Sequence, residues 1–138
     1  MTLILVAVNP IDPIPAAPSL DRRRFVMESS TNSAVDSNSP SSFQYFERDG
    51  VIWGDYDGDT VVFGRFVGTR VGNELSVSFA HVMAADGLVV TGTSGSVVEA
   101  TSAGIRLVES FRIDDVDHVS ICVEVPSESA SQPGGPAS

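Results

Sequence analysis

Short runs of alternating apolar and polar residues fill the chain from Ser42 to Val125. The run Glu74–Ala84 shows the pattern clearly, because its odd positions carry Leu, Val, Phe, His and Met and its even positions are mostly Ser and Ala. A period of two is typical of a β-strand that buries one face. No segment of the sequence sustains a helical period, so the pattern predicts an all-β fold.

Turn-forming pairs such as Asp49-Gly50, Asp57-Gly58 and Asp86-Gly87 separate these runs at a regular spacing, which is the signature of hairpins between antiparallel strands. About eight strands in up-and-down order close most readily into a β-barrel, because closure removes exposed edges and leaves room for one small ligand. The predicted strands are Arg22–Glu28, Ser42–Arg48, Val51–Tyr56, Thr60–Gly68, Glu74–Ala84, Leu88–Glu99, Ile105–Asp114 and His118–Val125, with Thr2–Val8 as a candidate ninth.

The regions outside the strands divide the chain into three parts. Residues 1–21 are interpreted as an apolar N-terminal arm and a proline-rich connector, and residues 22–125 as one β-barrel domain. Residues 126–138 are rich in Pro, Ser and Gly, which predicts a disordered C-terminal tail. The apolar start lacks a basic leader and is too short to span a bilayer, so it is expected to be an arm or a strand.

Charge and composition narrow the function. Eighteen acidic residues against eight basic ones give a net charge of −10, which argues against a nucleic-acid or anionic-membrane partner. A single cysteine, Cys122, excludes an internal disulfide, so the cytoplasm is the default location. Two histidines without clustered partners make a metal site unexpected, and no Gly-rich loop leads into a helix to hold a nucleotide. No cofactor is therefore expected.

Two titratable residues, His81 and Glu109, stand among apolar positions that are predicted to face inward. A buried carboxylate must pair, become protonated or contact a ligand, because leaving it bare is costly. Pairing of Glu109 with an inward arginine such as Arg65 is one alternative to a functional role. For His81 the alternative is a hydrogen bond to a neighbouring hydroxyl.

The spacing of the strands argues against a direct His81–Glu109 dyad. Counting residues back from the turns places the two Cα atoms roughly 16 Å apart on a flat sheet. Closure of the barrel shortens the distance across the lumen, so both side chains could contact the same ligand without contacting each other.

The strands between Ser42 and Gly68 carry apolar residues on both faces, and the pattern leaves open which face lines the lumen. The face that does not line it is expected to be covered by the N-terminal arm or by a second subunit, which would make the protein a homodimer. One predicted face holds Phe46, Trp53, Val62, Gly64 and Phe66, and the other holds Phe43, Tyr45, Tyr56, Val61 and Phe63.

The last strand is predicted to turn Val119, Ile121, Val123 and Val125 inward, so that Cys122 faces away and is inert. Aromatic and apolar side chains expected at the lumen are the candidates for contact with a hydrophobic substrate. The predicted substrate-binding residues are Tyr45, Trp53, Tyr56, Phe79, Met83 and Phe111, and the predicted catalytic residues are His81 and Glu109.

Several short motifs also carry a family resemblance. They are Phe43-Gln44-Tyr45, Asp55-Tyr56-Asp57-Gly58-Asp59, Phe79-Ala80-His81-Val82 with Asp86-Gly87, Thr91-Gly92, and Gly104-Ile105-Arg106-Leu107-Val108-Glu109. Over residues 22–125 the chain resembles a family of small, largely uncharacterised bacterial β-barrel proteins, some of which are named N-acetylglutamate synthase. Met83 and Phe111 stand where that family usually has Asn and Trp, which implies a more apolar lumen.

The predicted architecture is also similar to the calycin-like barrels, which include lipid carriers and cofactor-free cyclases. The first hypothesis is thus a cofactor-independent cyclase or isomerase that holds a hydrophobic molecule, such as a polyketide-type intermediate, in the barrel. The alternative hypothesis is a carrier or binding barrel that performs no chemistry. A third is a structural protein that dimerises through its apolar outer face.

If the enzyme hypothesis holds, Glu109→Gln should lower turnover of the true substrate without unfolding the protein, because the carboxyl would polarise a carbonyl or move a proton. An activity assay with circular dichroism as the folding control tests this prediction. Unchanged turnover would show that Glu109 is not a catalytic residue.

Overall fold

The computed structural model describes residues 17–32, 35 and 38–126 of the 138-residue chain. Eight antiparallel strands follow one another around a closed barrel, and the last pairs with the first, so the predicted all-β up-and-down barrel is confirmed. The strands are β1 Arg24–Ser30, β2 Ser42–Arg48, β3 Val51–Gly58, β4 Val61–Val71, β5 Glu74–Met83, β6 Val89–Thr101, β7 Gly104–Ile113 and β8 Val116–Val125.

Tight turns with positive φ join several of these strands. At the β2–β3 turn, Asp49 and Gly50 have φ angles of 51° and 80°, and at the β7–β8 turn Asp114 and Asp115 have φ angles of 52° and 65°. Two successive residues with positive φ match the right-handed twist of the strands that they join. The Asp- and Gly-rich pairs in the sequence therefore mark the hairpins.

The β3–β4 hairpin differs from the prediction in where it turns. Strand β3 continues through Gly58, and the pairing with β4 shifts by one residue between Tyr56 and Gly58. Because Gly64 pairs with Tyr56, Gly64 lies on the Tyr56 side, and Phe66 follows two residues later on the same side. The prediction that grouped both residues with Trp53 was wrong.

Trp53 lies on the outer wall of the barrel. Its side chain is 38% exposed and stacks on Phe46 with the ring centroids 5.9 Å apart. Its predicted place among the residues that contact a ligand in the lumen is therefore corrected.

Strand β8 faces the interior with the side that the sequence pattern predicted to face outward. Ser120 and Cys122 are 1% and 5% exposed, whereas Val119 is 39% exposed. The inward polar groups have partners, since the Ser120 hydroxyl lies 3.0 Å from that of Ser30 and Glu124 accepts a 2.7 Å hydrogen bond from Arg23. The prediction that Cys122 faces away from the interior was wrong, because paired polar groups are stable on a buried face.

One end of the barrel is closed by the segment before β1. The Leu20 side chain is fully buried in a core that includes Phe25, Ile52 and Leu75. The backbone N–H of Leu20 donates to Glu47 Oε1 over 2.8 Å. Residues 17–21 thus pack onto the barrel, although they lie before the predicted domain boundary.

An ion pair fixes this closed end. Arg70 Nη1 lies 2.9 Å from Glu47 Oε1, and the two side chains are only 6% and 16% exposed. Arg70 also donates to the backbone carbonyls of Ala17 and Pro18 over 2.6 and 3.0 Å. Because its donors are used, the pair can be buried without leaving an uncompensated charge.

The predicted strand Thr2–Val8, the rest of the N-terminal arm and nearly all of the C-terminal tail lie outside the described residues. Within the part of the chain that is described, no helix is long and apolar enough to cross a membrane.

Replacement of Leu20 by Ala should lower the free energy of unfolding by about 2–5 kcal/mol, because it removes a fully buried side chain that closes the barrel. Val62→Ala is the matched control, since Val62 is 58% exposed and its truncation should change stability by less than about 0.5 kcal/mol. Urea unfolding measures both values. Equal values for the two variants would mean that Leu20 does not belong to the core.

Candidate functional site

A cavity of about 960 Å³ occupies the barrel beyond the closed end. It extends from core residues such as Leu107 and Cys122 to Asp59 and Thr60 in the β3–β4 turn. This volume lies at the upper end of the range typical of small-molecule sites. The cavity is lined by two chemically different walls.

The first wall, here called the aromatic wall, comes from β2 to β5. Tyr45 and Phe66 have ring centroids 4.6 Å apart, and Phe43 stacks on Tyr56 at 5.0 Å. The wall consists of Phe43, Tyr45, Tyr56, Phe66 and Phe79, all of which line the cavity.

Glycines opposite these rings keep the wall flat. A Cβ atom added at Gly64 would overlap the ring of Tyr56, and one added at Gly92 would lie 2.7 Å from Cζ of Phe79. Each ring therefore lies over the backbone of the neighbouring strand instead of projecting across the lumen. The cavity stays open because these two positions carry no side chain.

His81 extends the aromatic wall toward the open part of the cavity. Its ring lies parallel to that of Phe79, with centroids 5.6 Å apart, and its Nδ1 lies 2.7 Å from the Tyr56 hydroxyl. Burial lowers the pKa of His81. The pKa of Tyr56 is raised, chiefly by burial and also by the negative charge of Glu109. The hydrogen-bonded pair is therefore neutral near pH 7.

The opposite side of the lumen carries a row of polar side chains. Glu109 on β7 is paired in register with Ser96 on β6 and with Ser120 on β8, and Ser120 is paired in turn with Ser30 on β1. All four residues line the cavity, and they are called the polar row below.

Glu109 is the ionisable member of the polar row, and burial raises the pKa of its carboxyl. A contact with the Ser94 hydroxyl acts to lower that pKa. Yet Ser94 Oγ is buried and forms no hydrogen bond with any of the residues that the structure describes. The Ser94–Glu109 contact is thus incomplete, and both groups retain capacity to bind a ligand.

No arginine neutralises Glu109 among the described residues. Arg65 lies outside the barrel, with its guanidinium 5.4 Å from the centroid of the Phe63 ring. The alternative that paired Glu109 with Arg65 was wrong, because Arg65 occupies the outward face of β4.

The structure brings seven of the eight predicted site residues to one cavity. His81 and Glu109 both line it, but among the described residues no hydrogen bond joins them, as the strand spacing predicts. The residues at the cavity are Tyr45, Tyr56, Phe79, His81, Met83, Glu109 and Phe111, and Trp53 is the exception.

Sequence reasoning missed Phe66, Ser94, Ser120 and Cys122 at the cavity. The prediction put Phe66 on the wrong face of β4 because it did not include the register shift in the β3–β4 hairpin. Ser94 could have been found, because it pairs with Val77, whose inward direction was predicted. No hydrophobic signal marks Ser120, since both of its immediate neighbours are apolar.

Within the described part of the chain, no group of three or more His, Cys, Asp or Glu side chains is arranged to hold a metal ion. Cys122 lies beside the polar row, and burial raises the pKa of its thiol, with a further contribution from Glu109.

The family comparison agrees with this geometry. Residues 18–125 match the model of the avidin-like protein family, so the chain belongs to that family. The match covers nearly the same residues as the predicted resemblance to small β-barrel proteins, and the calycin-like architecture is consistent with it. No curated protein and no solved structure was found to be significantly similar.

The buried carboxyl predicts an unusual pH dependence of stability. Because the pKa of Glu109 is raised above its ordinary value of 4.5, the folded protein keeps this proton while the unfolded chain loses it. This contribution is fully present below pH 4.5 and is lost as the pH rises through the folded-state pKa. Each tenfold difference in proton affinity between the folded and unfolded states corresponds to about 1.4 kcal/mol of stability.

Glu109→Gln should therefore gain stability relative to the wild type as the pH rises from 4.5 to 8, and urea unfolding at several pH values measures this difference. The His81 contribution is common to both proteins and cancels. Glu74→Gln, at an exposed position of β5, controls for the loss of one negative charge. A difference that is constant with pH, or that shrinks as the pH rises, would contradict the assignment.

Proposed function

We propose that the barrel binds a small molecule with an apolar body in its lumen and performs no chemistry on it. The observation that carries this proposal is the cavity of about 960 Å³, in which the aromatic wall faces the polar row. Membership of the avidin-like family supports it.

The aromatic wall and the polar row would contact different parts of the ligand. The aromatic wall offers a flat apolar surface to the body of the ligand, and removal of that body from water supplies about 25 cal/mol for each Å² of apolar surface. The polar row and Ser94 fix the orientation, because their hydroxyl and carboxyl groups need partners when a ligand displaces water from them. A ligand with one polar end and an apolar body fits this arrangement.

The cyclase or isomerase activity remains a prediction. Glu109 and His81 reach the same cavity, and the raised pKa of Glu109 would suit an acid, but ligand binding uses the same features without requiring a reaction. The homodimer also remains a prediction. Binding is the function that both the cavity and the family support.

Blocking the lumen tests the proposal. Ser94→Trp should abolish binding of N-phenyl-1-naphthylamine, a neutral apolar dye whose fluorescence rises in apolar sites, because the new side chain enters the cavity. Val97→Trp is the matched control: Val97 lies on the outward face of the same strand and is 46% exposed, so the dye should bind as it does to the wild type.

Circular dichroism confirms the fold of each variant, and Met83→Trp provides a second block of the cavity should Ser94→Trp fail to fold. Equal dye binding by the wild type and by correctly folded blocked variants would place the dye outside the lumen and overturn the proposal.

A further inference from the structure

Resting on the proposed function, we infer that the ligand is an organic cation, a protonated amine on an apolar body, whose ammonium group pairs with Glu109 in the lumen.

The protein supplies no positive side chain to Glu109. All eight basic residues are arginines, and all eight lie in the described part of the chain. Arg112 is the one that lines the cavity, and it is engaged near the β7–β8 turn, with Nε 3.0 Å from Asp117 Oδ1 and Nη2 bonded to the Asp115 carbonyl. A buried carboxylate is stable in its charged form only when it is paired. A cation that pairs with an ionised Glu109 would therefore come from the ligand, and without one the raised pKa of the carboxyl favours its neutral form.

The paired arginines of the fold illustrate the contrast. Arg70 is paired with Glu47, and Arg23 with Glu124, each at less than 3 Å. These carboxylates are already neutralised and hold the structure together. Glu109 lines the cavity without an arginine partner among the described residues, which leaves it available to another cation.

The aromatic wall is suited to the same ligand. Tyr56 and Phe79 line the cavity and are already stacked on Phe43 and His81, so the wall presents a continuous apolar surface to the body of the ligand. His81 is neutral near pH 7 and does not repel a positive charge.

The charge of the whole protein favours the same class. A net charge of −10 attracts cations and repels anions at long range, and Asp59 lines the outer part of the cavity. An acidic ligand would meet the field of the protein and the Glu109 carboxyl together, which disfavours fatty acids and other carboxylates as occupants.

A neutral ligand is the competing occupant, because a protonated Glu109 could donate a hydrogen bond to it. The two cases differ in proton release: an ammonium group ionises Glu109 and expels its proton, whereas a neutral acceptor keeps the proton in place. The titratable groups that interact with Glu109 are Tyr45 on β2, Tyr56 on β3 and Cys122 on β8, and His81, Asp59 and Arg112 line the same cavity.

Three probes with one indole body separate these cases: tryptamine, a cation; tryptophol, its neutral alcohol; and indole-3-acetate, an anion. In titration calorimetry at pH 7, tryptamine should bind the full-length protein at least about tenfold more tightly than tryptophol, since hydrogen bonds to charged groups are stronger than those between neutral groups. Indole-3-acetate should bind most weakly.

Glu109→Gln should reduce the tryptamine preference to less than about threefold, whereas Glu74→Gln, at an exposed position, should retain it. Titrations of the wild type in two buffers with different ionisation enthalpies should show proton release on tryptamine binding at pH values near the Glu109 pKa. The preference should fall as the pH is lowered through the raised pKa of Glu109, because removing its proton then costs more free energy.

Tryptophol binding as tightly as tryptamine, or an undiminished preference in Glu109→Gln, would overturn the inference. So would the absence of tryptamine binding. None of these results decides the proposed function, which is tested separately by the blocked-lumen variants.

Discussion

The packing of aromatic rings along the inner wall, instead of across the lumen, is the constraint on which the structure of the site depends. The interior of an eight-stranded barrel is just wide enough for its own side chains to fill. Here the rings of Tyr56 and Phe79 lie over Gly64 and Gly92 of the neighbouring strands, where any Cβ atom would displace them. The glycines keep the rings on the wall, and about 960 Å³ of the lumen remains open.

The two ends of the barrel differ in whether their carboxylates are paired with a cation. At the closed end, Arg70 and Glu47 are nearly buried but paired, and the guanidinium also satisfies two backbone carbonyls. In the cavity, Glu109 is half-buried beside hydroxyl groups and has no cation among the described residues. The first arrangement stabilises the fold, whereas the second leaves a group whose charge depends on what occupies the lumen.

Much of the fold could be predicted from the sequence because turns and strand periodicity are local properties. The Asp49-Gly50 and Asp86-Gly87 pairs mark hairpins, and most predicted strand ends lie within two residues of those in the structure. Glu109 could be identified as inward-facing because its strand alternates cleanly. The strand spacing also kept His81 and Glu109 from being assigned as a direct pair.

The sequence prediction was wrong where the face of a strand that points into the barrel is set by residues far away in the sequence. The register shift after Tyr56 changes the side on which Phe66 lies. Gly58 lies at this shift with a φ of 107°, but the same Asp-Gly pair also predicts an ordinary tight turn. On β8 the inward positions are polar because Ser120 and Glu124 find partners on other strands, while the apolar valines face outward. Hydrophobicity alone selects the wrong face in such a strand.

Glu109 is a half-buried carboxyl that lines an open lumen, and the described residues supply no cation to it. Its titration can be followed directly by carbon NMR of the side-chain carboxyl, with Glu109→Gln used to assign the signal. We expect a titration midpoint above the ordinary value of 4.5 in the free protein and a lower midpoint when tryptamine occupies the cavity. A midpoint at or below 4.5 in the free protein would show that Glu109 is already paired or solvated there.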